Sequence, residues 1–323
     1  MNMSKKIMIG AGALLLVCAV LLLRRHPAEA VHPESVSPGT VSVESLTGVQ
    51  PDMAEQQKPA VEETLVPAQP SSLDQTMAVI LKSTDYNQRI QATLQDTPAT
   101  VNPQNYAALK TYLLTPQDGK DGDFRQHEYA LRNRMMDMLR SDTTRLSETI
   151  SAFVSVYEMP RQGDVMRGYA LQHLASVFMD HSQTLPDVDK QNIRSAFTAA
   201  LDDTSGGTIA GTALVGLHEA ARADSKTVSG GEVEAAAMKL IQSPESGTLS
   251  KIAAFQICGE RKVSGAAQAA RQAAFNSSAD WVLRMSAVYA LRQLGQTAGL
   301  ETLLNDSDKN VSRAARMSLN AQR

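Results

Sequence analysis

The chain has 323 residues, of which 43% are hydrophobic, 20% charged and only 4% aromatic, and its net charge is −3. A composition this poor in aromatics and rich in Ala and Leu favours helices packed through small side chains over a sheet, which would draw on Val, Ile, Tyr and Phe. A nearly neutral chain offers no long-range field to a polyanion, so nucleic acid is not an expected partner.

The charge is unevenly spread. Residues 1–25 hold +4 from Lys5, Lys6, Arg24 and Arg25, residues 26–73 hold −6, and the remainder is left with −1. Within the first segment, IMIGAGALLLVCAVLLL at 7–23 is an uncharged, largely apolar run between a Lys pair and an Arg pair. A run of about 17–25 such residues spans the hydrocarbon core as a helix. The expectation is a signal-anchor or transmembrane segment over 1–25 that meets the membrane through residues 7–23.

A cleaved signal stays open as an alternative. AEA at 28–30 resembles a cleavage site and would release a soluble form starting near Val31, but Arg24 and Arg25 sit where such a signal is neutral. Lipidation at Cys18 lacks the small residue it needs, because Val17 precedes it. Cys18 and Cys258 are the only cysteines and cannot sensibly pair, so no disulfide is expected.

Residues 26–73 hold seven of the thirteen prolines and most of the uncompensated acid. A segment of this kind buries too little apolar surface to offset its ordering entropy, and it reads as a disordered linker spanning about 40 Å or more. Residues 74–101 read as a helical lead-in, and 102–323 as a repeat region.

The repeat region is periodic. In DWVLRMSAVYALRQLG at 280–295, Leu283, Ala287, Ala290, Leu291 and Leu294 share one helical face. The same frame fits Val311, Ala315 and Leu319; Leu249, Ala253 and Ile257; Ile209, Ala213, Leu217 and Ala220; and Met166, Ala170, Leu174 and Val177. DFRQHEYALRNRMMDML occupies the corresponding earlier place and fits poorly. Between these helices lie NPQNYAALKTYLL, TRLSETISAFVSVYE, DKQNIRSAFTAAL, GGEVEAAAMKLIQS, KVSGAAQAARQAAF and TAGLETLLND. Asn102 before Pro103 marks a helix start, Asp123 with Gln126 and Ser229 with Glu232 form capping-box patterns, and Pro160, Pro186 and Pro244 stop continuation. The expected fold is all-α: a solenoid of about six antiparallel helix pairs.

This pattern resembles the HEAT-repeat family in its short bacterial, bilin-lyase-type form, where D-x-x-V-R-x-x-A-x-x-A-L-x-x-L-G opens the second helix of each unit. Residues 280–295 match it nearly position for position. Ala210 and Ser250 stand where the pattern has Arg, which leaves the register of the middle units open. The resemblance implies an armadillo-like helical array that binds other proteins. The short basic start at Lys5 and Lys6 resembles a signal-anchor that keeps the N-terminus in the cytoplasm. Because the architecture looks bacterial, the expectation is an inner-membrane protein with its C-terminal domain in the periplasm, or secretion to the periplasm if the signal is cleaved.

No residues combine into a catalytic constellation. Deoxyhypusine hydroxylases, a related helical-repeat family, bind iron through His-Glu pairs, and this chain has His127–Glu128 and His218–Glu219. These fall near opposite ends of their helices and should not converge. His173 and His181 are too far apart on one helix to grip one ion. DGKDGD at 118–123 fails as a calcium loop in both frames and reads as a polar turn. Trp281 reads as a packing or surface residue. Neither a metal nor a cofactor is expected, and no small-molecule substrate is evident.

Three functional classes follow. The first is a membrane-tethered, non-catalytic protein-interaction scaffold. The second is a structural or assembly subunit of an envelope complex, with GAG at 10–12 as a small-residue helix face. The third is a lyase-like or metal-binding repeat enzyme. Residues 280–323 carry six cations against four carboxylates, and Arg292, Arg313 and Arg316 are the expected partner-binding residues, with Arg284 bracing neighbouring turns.

Overall fold

The computed structural model describes residues 72–94, 101–116, 122–203 and 207–321. The chain divides into two units, Met1–Gln69 and Pro70–Arg323, and the structural description concerns the second. The apolar run at 7–23, Cys18, the acidic segment up to residue 71 and most of the turn at 118–123 lie outside the described residues. Among the described residues, no helix is long and apolar enough to cross a membrane.

The described residues form α-helices and short 3-10 turns, with no strand among them. The helices are α1 (Ser72–Lys82), α2 (Tyr86–Leu94), α3 (Pro103–Leu114), α4 (Gly122–Ser141), α5 (Leu146–Glu158), α6 (Gly163–His181) and α7 (Asp187–Ala200). They continue as α8 (Ile209–Ala223), α9 (Gly230–Gln242), α10 (Thr248–Glu260), α11 (Ala267–Phe275), α12 (Trp281–Gln293) and α13 (Lys309–Asn320).

Caps explain where several of them start. Asn102 Oδ1 accepts from the Asn105 amide at 2.8 Å, ahead of Pro103. Ser229 Oγ accepts from the Glu232 amide at 3.1 Å, Asp280 Oδ1 from Val282 at 2.8 Å, and Asp308 Oδ1 from Asn310 at 2.8 Å. Each satisfies a backbone donor that the first turn leaves without a partner. The reciprocal half of the Ser229 capping box does not form, because the Glu232 carboxylate grips Arg194 instead. The Asp123 expectation needs correction: α4 begins at Gly122, which puts Asp123 inside the first turn.

Consecutive helices pair, and the pairs stack in two layers. Each odd-numbered helix from α1 to α11 packs on the next helix in sequence. The even-numbered helices form a continuous layer, α2 on α4, then α6, α8, α10 and α12, with α13 closing against α12. In the other layer α1, α3, α5 and α7 pack in series. Ion pairs bridge α7 and the turn after it to α9: Arg194 Nε and Nη2 to the two Glu232 oxygens, each at 3.1 Å, and Lys239 to Asp202.

The inner positions of the repeat frame are buried in each unit, whereas Leu249, Leu283, Leu294 and Leu319, read as part of the same stripe, are only half-buried, and Ser250 and Arg284 are buried beside two of them. Ala170, Leu174, Ala213, Leu217, Ala287, Leu291 and Ala315 are fully buried, and Ala253 and Ile257 nearly so. Small residues set the spacing between stacked second helices. A Cβ added at Gly259 on α10 would lie 3.2 Å from Ala290 Cα on α12, so the two backbones nearly touch there. Ser250, standing where the pattern has Arg, accepts a hydrogen bond from the Gly211 amide at 3.1 Å and ties α10 to α8 in register.

The last first-helix departs from expectation. TAGLETLLND forms a 3-10 turn over Leu300–Asn305. Gly299 precedes it at φ +85°, a conformation open to glycine, and Asp306 follows it with its carboxylate on Arg284. These two limits leave six residues, too few to settle into α geometry.

Candidate functional site

The three arginines expected to bind a partner sit on the last two helices. Asp308 caps α13 so that Val311, Ala314, Ala315 and Ser318 turn into the core. The opposite face then presents Arg313, Arg316, Met317 and Asn320, all exposed. Their spacing of three and four residues makes them neighbours on one helical stripe. Met317 is 49% exposed, an apolar group set among cations. Arg292 lies on α12, partly buried, with its guanidinium 5.5 Å above the Tyr289 ring. The structure therefore puts Arg313 and Arg316 on one open face and Arg292 on a separate helix over an aromatic.

Arg284 acts as a brace, as expected. It is buried at 3% exposure, its Nε donates to Ala274 O at 3.2 Å, and its guanidinium forks onto the Asp306 carboxylate. Asp306 is held below the usual carboxylate range by that hydrogen bond. The same geometry recurs at Arg167. Its Nε donates to Tyr157 O at 2.8 Å, and Nη2 reaches Asp203 Oδ2 at 2.6 Å. In both units the arginine, near the start of a second helix, caps the closing carbonyls of its own first helix and meets a carboxylate just past the next first helix. A helix C-terminus and a carboxylate both favour a cation, so one guanidinium joins three consecutive elements. At position 312 a serine does half of this, with Ser312 Oγ donating to Leu304 O at 2.6 Å.

A buried charged cluster joins the N-terminal pairs. Arg132, 1% exposed, donates from Nε to Glu128 Oε1 at 2.9 Å, from Nη2 to Thr115 O at 2.7 Å and from Nη1 to Gln162 Oε1 at 3.1 Å. Arg89 Nε donates to Ile80 O at 2.6 Å, and its Nη2 donates to Tyr112 Oη at 2.7 Å. Tyr86 donates to Glu128 Oε2 at 3.1 Å, and burial together with that carboxylate pushes its phenol up to about 12. Every member is engaged, which is what keeps buried charge tolerable.

The His-Glu dipeptides do not converge. His127 stacks on Tyr86 with 5.7 Å between centroids, while Glu128 belongs to the Arg132 cluster. His218 Nε2 lies 3.3 Å from Glu260 Oε2, and Glu219 pairs with Arg222. Among the described residues, no three His, Cys, Asp or Glu side chains group to hold a metal ion. His173 is buried against Phe153, with Nε2 3.0 Å from Asn133 Oδ1, and desolvation lowers it to about 4. Trp281 is a surface residue, 41% exposed.

No family model matches the chain, and no curated protein matches it. Among solved structures, it is similar to a designed armadillo repeat protein at 15% identity and a TM-score of 0.37, over 78% of this chain and 100% of that one. It is similar to human deoxyhypusine hydroxylase at 14% identity and a TM-score of 0.31, over 77% of this chain and 94% of that one. An engineered protein aligns at 16% identity and a TM-score of 0.36, over 76% of this chain and 67% of that one. At such low TM-scores these likenesses carry no argument, and the stacked-hairpin architecture rests on the packing described above.

Proposed function

We propose that this chain is a non-catalytic protein-interaction scaffold built on HEAT-like repeats and tethered to the bacterial inner membrane through residues 7–23, with the repeat array in the periplasm. The observation that carries the interaction reading is the open face of α13, where Arg313, Arg316 and Met317 are exposed opposite a fully packed face. Cations around an apolar group fit an acidic protein surface with a hydrophobic contact at its centre.

Crosslinking in cells followed by mass spectrometry names the partner. Reversing Arg292, Arg313 and Arg316 to Glu should abolish its capture while far-ultraviolet circular dichroism stays unchanged. Capture that persists undiminished at low salt removes this face from consideration. The tether has its own test: reporters fused after residue 73 should read non-cytoplasmic, and the protein should resist carbonate extraction. A shorter soluble form starting near Val31 would replace the tether with a cleaved signal.

A further inference from the structure

The repeat frame fixes what the outer face of α13 corresponds to in the earlier units. Counted from the frame residues Met166, Ile209, Leu249, Leu283 and Val311, the position five further on is Leu171, Leu214, Ala254, Val288 and Arg316. The first four are fully buried and Arg316 is exposed. Two positions on from the frame residue stand Gly211 on α8 and Arg313 on α13, and nine positions on stand His218 and Asn320. On α8 both of these meet the next second helix. A Cβ at Gly211 would lie 3.0 Å from Ser250 Cα, and His218 Nε2 lies 3.3 Å from Glu260 Oε2, both on α10. Arg313, Arg316, Met317 and Asn320 therefore make up the face on which a second helix receives the next one, and on α13 all four are exposed.

The face is laid out for a helix but charged against its own kind. Among the described residues neither Arg313 nor Arg316 pairs with a carboxylate, whereas Arg167 and Arg284 in the same layer do. An apolar helix of the sort that stacks inside the array would strip water from two unpaired guanidiniums, and an uncompensated buried charge costs more than the contact returns. The α13 of a second copy would set arginine against arginine. What fits is a helix with carboxylates opposite Arg313 and Arg316 and an apolar side chain opposite Met317.

We propose that α13 takes an acidic amphipathic helix of another protein, laid along it in the place that α10 takes on α8, so that the partner extends the second-helix layer. The proposal rests on the reading of this face as the interaction surface and specifies the partner's secondary structure and charge. Packing into the stripe needs the regular ridges of a helix, whereas an acidic loop would reach the arginines without filling it.

The probe is a fluorescein-labelled, alanine-based peptide of about 20 residues, long enough to hold a helix, with one central leucine and glutamates a helical turn to either side of it. Titrated at low salt with the detergent-solubilised full chain, it should saturate with a Kd on the order of 100 μM by fluorescence anisotropy. A peptide of the same charge with proline beside the leucine cannot stay helical and should bind about tenfold more weakly. With photo-leucine in the central place, crosslinks should fall within residues 313–320. Replacing both Arg313 and Arg316 by Glu should abolish saturation. Arg316→Leu, which restores the apolar residue of the other units, should weaken binding several-fold; both changes are at exposed positions, and far-ultraviolet circular dichroism checks that the variants fold. Absence of saturable binding, equal binding of the proline peptide, crosslinks confined to other helices, or undiminished binding to either variant would each overturn the proposal. The reading of the face as an interface fails separately, through partner capture in cells that ignores Arg313 and Arg316.

Discussion

Arg284 and Asp306 meet fork to fork across twenty-two residues of sequence: Nη1 lies 3.1 Å from Oδ1, Nη2 meets Oδ2, and the side chains are only 4% and 10% exposed. A pair this dry is worth little against an apolar replacement of both partners, but removing one partner strands the other. Arg284→Ala should therefore destabilise the array by about 3–5 kcal/mol in urea unfolding, and Arg284→Lys should recover only part of it. Asp306 titrates below its ordinary value in the folded protein. The pair's contribution is thus present above the ordinary carboxylate range and lost as pH falls through the depressed folded value. A double-mutant cycle whose coupling does not shrink in acid would contradict this.

Ala287 is fully buried in the second-helix layer, whose backbones nearly touch at Gly259 and Ala290. Ala287→Leu should overpack it at a cost of about 1–3 kcal/mol, and Gly259→Leu should cost at least as much because a backbone stands in the way. Neutral thermal shifts at both positions would show that the register of α10 on α12 is wrong.

His173 acts in the same direction as Asp306 but over a higher pH window. Burial lowers it from 6.5 to about 4, so the unfolded chain takes up a proton that the folded chain refuses between those values. Stability should be complete above 6.5 and fall as pH drops towards 4, by about 1.4 kcal/mol per unit of difference. His173→Gln should flatten that part of the stability profile. An unchanged slope in the variant assigns the loss to another group.

Cys258 is fully buried, and burial with Glu234 nearby pushes its thiol up to about 12. The thiolate is the reactive form. In a chain carrying Cys18→Ser, a maleimide at mildly alkaline pH should label nothing until denaturant is added. Prompt native labelling would mean that α10 opens locally.

Much of this fold can be read in the sequence because its signals are local. Leu283 to Leu294 repeat at helical spacing within a dozen residues, and Asn102, Ser229 and Asp280 cap amides two or three positions away. The charged cluster cannot be read that way. Arg132 finds Gln162 thirty residues ahead and Thr115 seventeen behind, so DFRQHEYALRNRMMDML looks like a solvated helix until its neighbours are placed. Ala210 falls between these cases. Its signal, an alanine where the pattern has arginine, stands in the sequence, but only the geometry of Arg167 and Arg284 shows what that arginine joins elsewhere. Arg292 is a third case: it stands on a different helix from Arg313 and Arg316, over Tyr289, a placement the sequence spacing does not fix.

Ala210 and Ser250 fall in adjacent repeats, so two successive joints lack the clasp that Arg167 and Arg284 provide elsewhere. In a linear array each unit leans only on its neighbours, and strain or melting passes along it joint by joint. Around α7, α8 and α9 the first-helix side is held by surface ion pairs such as Lys239–Asp202. Backbone amides around α8 should therefore exchange with deuterium ahead of those in α6 and α12.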